Sequence, residues 1–214
     1  MKVGVLDYGV GNLGSVLRAV EALNVSPVLV DRAVDMHLND CLILPGVGNF
    51  VDCARLLSQG GWMEALRQEV LGYDRPLLGV CVGMQLLADF GLEGAGPDDP
   101  QGTPGLGFIP GRVEHLSTLG CALRLPHVGW NGIVSTTPRD SLFTDIPDGT
   151  DFYFVHSYAF VAKDPADVLA TADYGVPVTA AVRRGHVWGT QFHPEKSSRA
   201  GSRLLRNFLS GPQC

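Results

Sequence analysis

Three residues of this chain, Cys81, His193 and Glu195, are of the types that cleave amide bonds by covalent catalysis. Cys81 lies between two glycines in GVCVG, directly after an apolar run and before a helical pattern. Glycines relieve the crowding of a sharp strand-to-helix turn, and a helix N-terminus favours a thiolate. The pattern therefore predicts an exposed nucleophile at Cys81, whereas Cys41 and Cys53 lack these glycines and are interpreted as core residues.

His193 and Glu195 are the residues that could serve this nucleophile. A cysteine that attacks an amide needs a base that also protonates the departing nitrogen, and the base needs a group that orients it. In QFHPEK, His193 follows an apolar run and Pro194 stiffens the link to Glu195. We therefore predict an imidazole–carboxylate pair at a strand end, and we interpret the other five histidines as structural or surface residues.

Attack on a carbonyl also requires an oxyanion hole, which backbone N–H groups can provide. One candidate is the N–H of Val82, immediately after the nucleophile. Another lies in LPGVGNF, residues 44–50, where two glycines and a proline would let the backbone approach a substrate closely. Alone, such a loop is an ordinary turn, so its interest depends on its position beside Cys81.

The elements that must position these groups alternate along the first half of the chain. Apolar runs occupy residues 2–7, 27–30, 41–44 and 77–80, and helical patterns occupy residues 15–23, 51–57, 62–71 and 84–90. This alternation predicts an α/β fold with a mostly parallel central sheet flanked by helices. In such a sheet the loops that follow Asp7, Leu44 and Val80 lie at the same edge.

The second half of the chain predicts a different arrangement. Residues 93–111 are rich in Gly, Pro and Asp and are expected to form a solvated loop. Apolar runs at 151–155, 168–172, 178–183 and 186–192 are closely spaced, which predicts additional strands, some of them antiparallel. A final helix is predicted over residues 198–209. We expect the whole chain, residues 1–214, to form a single domain.

Composition limits the possible partners. The net charge of −6 argues against a surface for nucleic acid or anionic membranes. No apolar run approaches the ~20 residues of a membrane span, and Met1 is followed at once by a strand-like run, so we expect a cytoplasmic protein.

The cysteines are odd in number and lack C-x-x-C spacing, so we expect no disulfide framework and no metal site. They are Cys41, Cys53, Cys81, Cys121 and Cys214.

A competing interpretation comes from DYGVGNLGSV near the start of the chain. Gly9, Gly11 and Gly14 spell G-x-G-x-x-G after a strand-like run, and Asp31 ends the next run, as in a dinucleotide-binding unit. An NAD-dependent oxidoreductase would leave Cys81 and its partners unexplained, so it is a remote alternative. A binding module without catalysis would also leave them unexplained, and a cysteine peptidase of related fold would have histidine where Val82 stands.

The motifs GVCVGMQ and QFHPE resemble those of the class I (triad) glutamine amidotransferases. More narrowly, PGVGNF, PGLGFIPG, PHVGWN, YFVHSY and GTQFHPEKSS resemble the family of glutaminase subunits of imidazole glycerol phosphate synthases, over residues 3–209. This resemblance implies a flavodoxin-like fold, no cofactor, and hydrolysis of glutamine to glutamate and ammonia through a thioester on Cys81. Val82 stands where the family has leucine, which matters little if only its backbone is used.

The resemblance also implies roles for other residues. It assigns the oxyanion N–H groups to Val47 and Val82. It assigns the binding of the substrate glutamine to Gln85 and Glu93, together with backbone groups near His156 and Ser157. The loop of residues 94–105 is longer than is usual in the family.

A partner is implied as well, because free ammonia would be protonated and lost in bulk water. The resemblance implies a heterodimer with a separate (β/α)8 barrel cyclase subunit that receives the ammonia and forms imidazole glycerol phosphate and AICAR. It assigns the interface and the ammonia route to Asn12, Trp130, Tyr153 and Lys196. The glycines of the Gly9–Gly14 loop then favour close packing against that partner. The acceptor binds to the partner, so a paralogous subunit that supplies another synthase, such as a sugar-modifying one, stays open.

Overall fold

The computed structural model describes residues 1–95, 101–136 and 140–211. Cys214 and residues 96–100 of the 94–105 loop lie outside the described residues. Within the described residues, no helix is both long and apolar enough to cross a membrane.

The strands of the described residues form two sheets. In chain order they are β1 (Val3–Leu6), β2 (Pro27–Val30), β3 (Cys41–Gly46), β4 (Leu77–Cys81), β5 (Phe90–Gly91), β6 (Thr103–Pro104), β7 (Gly111–His115), β8 (His127–Ser135), β9 (Thr150–His156), β10 (Tyr158–Ala162), β11 (Val168–Asp173), β12 (Pro177–Arg184) and β13 (Val187–Thr190). The larger sheet has the order β2-β1-β3-β4-β13-β12-β11-β8-β9, and the smaller has the order β10-β7-β5-β6.

The helices are fewer and mostly short. They are α1 (Leu13–Glu21), α2 (Phe50–Gln59), α3 (Trp62–Leu66), α4 (Val82–Gln85) and α5 (Ser198–Leu209). A π-helical turn, Arg67–Gly72, extends α3, and 3-10 turns occupy Ala33–Leu38, Ser141–Phe143, Pro165–Asp167 and Pro194–Lys196. α1 packs against α5, and α2 packs against α3 and α4.

The larger sheet divides into a parallel and an antiparallel part. β2, β1, β3, β4 and β13 are parallel neighbours, whereas β13, β12, β11, β8 and β9 pair antiparallel. Every residue of β1, β3, β4 and β13 is buried, as expected of parallel strands that are covered on both faces. This topology confirms the predicted α/β fold with antiparallel strands in the second half, and it brings the carboxyl ends of β1, β3 and β4 to one edge.

The helix predicted over residues 84–90 is wrong, because α4 ends at Gln85. The carbonyl groups of residues 86–88 accept hydrogen bonds from the N–H groups of Leu106, Gly107 and Ile109. The solvated loop predicted over residues 93–111 is therefore also wrong in its later part. Leu106 and Ile109 are buried in the main core there. Strands β5, β6, β7, β8 and β10 were not predicted.

Candidate active site

Cys81 is the last residue of β4 and directly precedes α4. Its backbone has φ 56° and ψ −112°, a conformation that costs energy for a residue with a side chain. The flanking glycines have no room for a side chain: a Cβ on Gly79 would lie 2.5 Å from the Gly83 carbonyl oxygen, and one on Gly83 would lie 1.9 Å from that of Leu44. The sharp turn predicted around Cys81 is therefore present. The predicted exposure is wrong, since Cys81 is buried and lies in the wall of a cavity.

His193 and Glu195 lie together at the end of the segment that follows β13. His193 Nδ1 is 2.8 Å from Glu195 Oε1, and both side chains are buried. The His193 N–H donates to the Tyr153 carbonyl group, and the Ser197 hydroxyl donates to the His193 carbonyl group, so strand β9 and the 194–196 turn fix the backbone. With Nδ1 engaged by Glu195, Nε2 is the ring nitrogen available to Cys81.

The electrostatics of this pair favour a charged imidazole. Burial by itself would lower the pKa of His193, but the neighbouring Cys81 sulfur and the Glu195 carboxylate raise it to about 9. An imidazolium beside a cysteine stabilises the thiolate, which is the nucleophilic form. The arrangement can therefore supply both an attacking sulfur and a proton for a leaving nitrogen.

A cavity of about 320 Å³ opens onto Cys81. Its volume suits a small polar molecule. Nine of the residues predicted for the site line it: Val47, Cys81, Val82, Gln85, Glu93, His156, Ser157, His193 and Lys196. The structure thus brings the predicted nucleophile, oxyanion and glutamine-binding residues to one place, with Glu195 directly behind His193.

Gln85 and Glu93 are held differently in the cavity wall. The Gln85 side-chain amide nitrogen donates to the Tyr158 carbonyl group (3.1 Å) and to Gln191 Oε1 (3.1 Å), which leaves the Gln85 carbonyl oxygen for a ligand. Glu93 accepts a hydrogen bond from the Phe50 N–H at the start of α2 (2.8 Å). Burial raises the pKa of Glu93, and this hydrogen bond partly opposes the increase.

The loop that contains Val47 is fixed from two sides. The buried Tyr8 hydroxyl donates to the Pro45 carbonyl group (2.9 Å), and the Cys53 thiol lies 3.4 Å from the Val47 carbonyl oxygen. Near the end of this loop, the Asn49 side chain accepts from the Asp52 N–H and caps α2. Sequence reasoning missed Tyr8, although its position two residues after β1 places it at the correct edge of the sheet.

Gln191 is the second residue that sequence reasoning missed. It has no exposed surface, and its Nε2 lies 3.8 Å from Cys81 Sγ. The available signal was its position two residues before His193 in QFHPE.

A pair of buried histidines adjoins the same region: His127 Nδ1 and His156 Nε2 are 3.0 Å apart, and burial lowers the pKa of each to about 4.

Three of the predicted interface residues are neighbours beside the cavity. The Trp130 and Tyr153 rings lie 6.0 Å apart, and Lys196 Nζ lies 5.8 Å from the Tyr153 ring centre. Asn12 is exposed and precedes α1, which packs against the turn that contains Lys196. Asn12, Trp130 and Lys196 are exposed, and Tyr153 is partly exposed.

The Gly9–Gly14 loop is poorly suited to a pyrophosphate. The Asp7 carboxylate accepts a hydrogen bond from the Gly9 N–H (3.1 Å), so a negative charge already occupies a position that phosphate oxygens would need. A Cβ on Gly11 would lie 3.3 Å from the Pro45 ring. Gly11 therefore lies against the loop that carries Val47, whereas Gly9 and Gly14 are exposed.

Comparisons with known proteins agree with this geometry. The family model described as glutamine amidotransferase class-I matches residues 4–211. Proteins named imidazole glycerol phosphate synthase subunit HisH are similar to the chain: those of Rhodospirillum rubrum and Mesorhizobium japonicum are 46% and 42% identical, each over 98% of both chains. The Brucella abortus protein of the same name is 43% identical with the same coverage.

Solved structures show the same fold at lower sequence identity. A crystal structure of a glutamine amidotransferase has a TM-score of 0.73 at 24% identity and covers 97% of this chain and 96% of its own. The structure of PurLQS from Thermotoga maritima has a TM-score of 0.69 at 16% identity, with 97% of each chain covered. On the family match, the close relatives and the shared fold, this chain belongs to the class I glutamine amidotransferases.

Proposed function

We propose that this protein is the glutaminase subunit of an imidazole glycerol phosphate synthase and acts in histidine biosynthesis. The observation that carries the proposal is the meeting of Cys81, His193 and Glu195 at one cavity, in a chain that matches HisH subunits over nearly its full length. We further propose that residues 1–214 form one glutaminase domain, which works in the cytoplasm with the rest of that pathway. The match over residues 4–211 supports this extent.

The reaction begins with the Cys81 thiolate. Its sulfur attacks the side-chain amide carbon of glutamine, and the carbonyl oxygen becomes an oxyanion that the N–H groups of Val47 and Val82 stabilise. When the C–N bond breaks, His193 donates its proton to the leaving nitrogen, which departs as ammonia. A thioester between the glutamyl group and Cys81 remains, and the imidazole of His193 is now neutral.

Water completes the cycle. The neutral His193 removes a proton from a water molecule, whose oxygen attacks the thioester carbon. The C–S bond then breaks, glutamate leaves, and the thiolate and imidazolium are restored. Glu195 keeps the imidazole in one orientation throughout. Gln85, Glu93 and the backbone at His156 and Ser157 bind the amino-acid end of the substrate.

The partner is a barrel cyclase on a separate chain, which forms a heterodimer with this subunit. Relatives named as subunits of a synthase support a partner, and the exposed Trp130 beside the cavity supports its docking site. Ammonia leaves past Tyr153 and Lys196 toward that partner. Docking there would close the cavity to water and keep the ammonia unprotonated.

The test is to purify the chain with the barrel cyclase of the same genome and to measure glutamate release with and without the cyclase's nucleotide ligand. We expect little release from the isolated chain and strong stimulation in the complex with ligand. Cys81→Ala should abolish release, whereas Cys121→Ala, which alters a buried cysteine in a separate cluster, should retain it. Full activity of Cys81→Ala would overturn the proposed mechanism, and absence of stimulation would favour a different synthase partner.

A further inference from the structure

Gln191 lies behind the nucleophile rather than in the substrate cavity. It follows β13, and its backbone N–H donates to the Ala180 carbonyl group (2.8 Å). Its side chain is completely buried, so it cannot itself bind glutamine, yet its amide nitrogen lies 3.8 Å from Cys81 Sγ. A buried amide group in contact with a reacting atom needs a chemical explanation, because its polar atoms must be satisfied.

The direction of this amide group is determined by its neighbours. The Tyr158 carbonyl oxygen can only accept, so the Gln85 side chain must present its NH₂ group there. The second N–H of the same NH₂ group then donates to Gln191 Oε1 (3.1 Å). If the Gln191 amide were reversed, two NH₂ groups would face each other. Gln191 therefore presents Nε2, a donor, to the Cys81 sulfur.

The Tyr158 carbonyl group is anchored from the other side as well. His156 Nδ1 lies 2.8 Å from it and must be the donor, which leaves His156 Nε2 to accept from His127 Nδ1. The Asn131 side-chain nitrogen lies 3.3 Å from His127 Nε2 and donates to the Asp173 carbonyl group. Acceptor-only carbonyl groups at both ends thus fix every donor in this chain of contacts.

We propose that Gln191 is a further residue of the reaction centre, whose side-chain N–H donates to the Cys81 sulfur and favours the thiolate, with Gln85 holding the donor in place. The inference rests on the proposed function, since it concerns the nucleophile of that reaction. A hydrogen bond to the charged form of an acid favours ionisation. Gln191 therefore increases the fraction of Cys81 that can attack an amide.

The test uses Gln191→Met in the full chain, because methionine has a similar length but no N–H group. The measured quantity is the rate of alkylation of Cys81 by iodoacetamide from pH 5 to 10, followed by mass spectrometry of the peptide that contains Cys81. Loss of one hydrogen bond to a charged group should lower the rate at pH 7 about tenfold and move the rate curve to higher pH. Gln191→Glu keeps the acceptor for Gln85, and once ionised it places a negative charge where the donor stood, so its rate should fall further at the alkaline end of the range.

Thr190→Val is the matched control. Thr190 is the neighbouring residue, is equally buried, and its hydroxyl donates to the Phe192 carbonyl group (3.1 Å) rather than to Cys81. This variant should lose some thermal stability but keep the wild-type alkylation curve. The other titratable groups around Cys81 are the same in every variant, so a shifted curve reports the change at residue 191. They are Tyr8, Cys53, Glu93, His156, His193, Glu195 and Lys196.

The outcomes separate this inference from the proposed function. A wild-type curve for both Gln191→Met and Gln191→Glu would overturn the inference, even if the wild-type complex releases glutamate. An equal shift in Thr190→Val would also overturn it, since a general packing defect would then explain the effect. Failure of the wild-type complex to release glutamate would overturn the proposed function alone, because alkylation of Cys81 does not depend on turnover. Thermal melting confirms that each variant is folded, and Gln191→Glu decides the test if Gln191→Met does not fold.

Discussion

Among single residues, two buried side chains of opposite charge, His193 and Glu195, determine how readily Cys81 acts as a nucleophile. His193 loses hydration by burial, which disfavours its charged form, but Cys81 and Glu195 compensate and raise its pKa to about 9. The imidazolium is therefore the form present below about pH 9, and its stabilising effect in the folded protein is lost as the pH rises through that value. Glu195 contributes through its charge as well as through its hydrogen bond.

Glu195→Gln separates these two contributions. The amide can still accept a hydrogen bond from His193 Nδ1, but without the carboxylate the pKa of His193 should fall. Glutamate release by the complex should drop roughly a hundredfold or more, with a small change in KM for glutamine. The decrease in glutamate release should be greater at pH 8 than at pH 6.5. With its pKa lowered, His193 of the variant loses its proton at a lower pH than in the wild type.

Steady-state kinetics from pH 6 to 9 measure this effect. Glu64→Gln makes the same change at an exposed position of α3 and should leave the rate unaltered. A Glu195→Gln variant with wild-type rates across this range would contradict the role assigned to the carboxylate.

At the scale of elements, the turn between β4 and α4 is built by close contact of backbones. β3 and β4 are parallel neighbours, and α4 begins so close to them that Gly83 lies against the Leu44 carbonyl group. Only glycine permits this approach, because any Cβ would overlap with backbone atoms that cannot move aside. The strained backbone of Cys81 is thus held by packing on both sides.

Gly83→Ala tests this packing. The added methyl group would lie 1.9 Å from the Leu44 carbonyl oxygen, so α4 or β3 must shift. The free energy of unfolding should fall on the order of 3 kcal/mol or more, and alkylation of Cys81 should slow as the turn is distorted. Gly72→Ala is the matched control, since a Cβ there meets no atom within 4 Å and should change stability little. Similar denaturation midpoints for the two variants would contradict the steric explanation.

At the scale of the whole molecule, an apolar surface adjoins the cavity. Outward-facing residues of β8 and β9 form it: Val128, Trp130, Val134, Tyr153 and Val155. Trp130 is 52% exposed, and Val155 also lines the cavity, so the surface is continuous with the site. An exposed apolar patch that borders a reaction site is typical of a docking surface.

Trp130→Ala tests this surface. Removal of the large exposed ring should weaken association with the barrel cyclase by at least tenfold in Kd, while the denaturation midpoint of the isolated chain changes little. Titration calorimetry with the cyclase measures the first quantity. Leu29→Ala removes an exposed apolar side chain from β2, at the opposite end of the strand order, and should leave Kd unchanged. Equal effects of the two variants would place the docking surface elsewhere.

Local residue patterns are sufficient to predict the features that depend on near neighbours in the chain. Glycines on both sides of Cys81 indicate a sharp turn because steric crowding acts within a few residues. The spacing of His193 and Glu195 indicates a pair because one proline separates them. The buried runs of β1, β3 and β4 indicate parallel strands because both faces must be apolar.

Contacts between distant segments, in contrast, depend on how the strands and loops pack in the folded chain. Gln191 and Cys81 are 110 residues apart in the chain, and they meet because β13 inserts beside β4. The helix predicted over residues 84–90 ends early because residues 106–109 take its carbonyl groups. In both cases a hydrogen-bonding group finds its partner through strand order and loop packing, which local residue patterns do not encode.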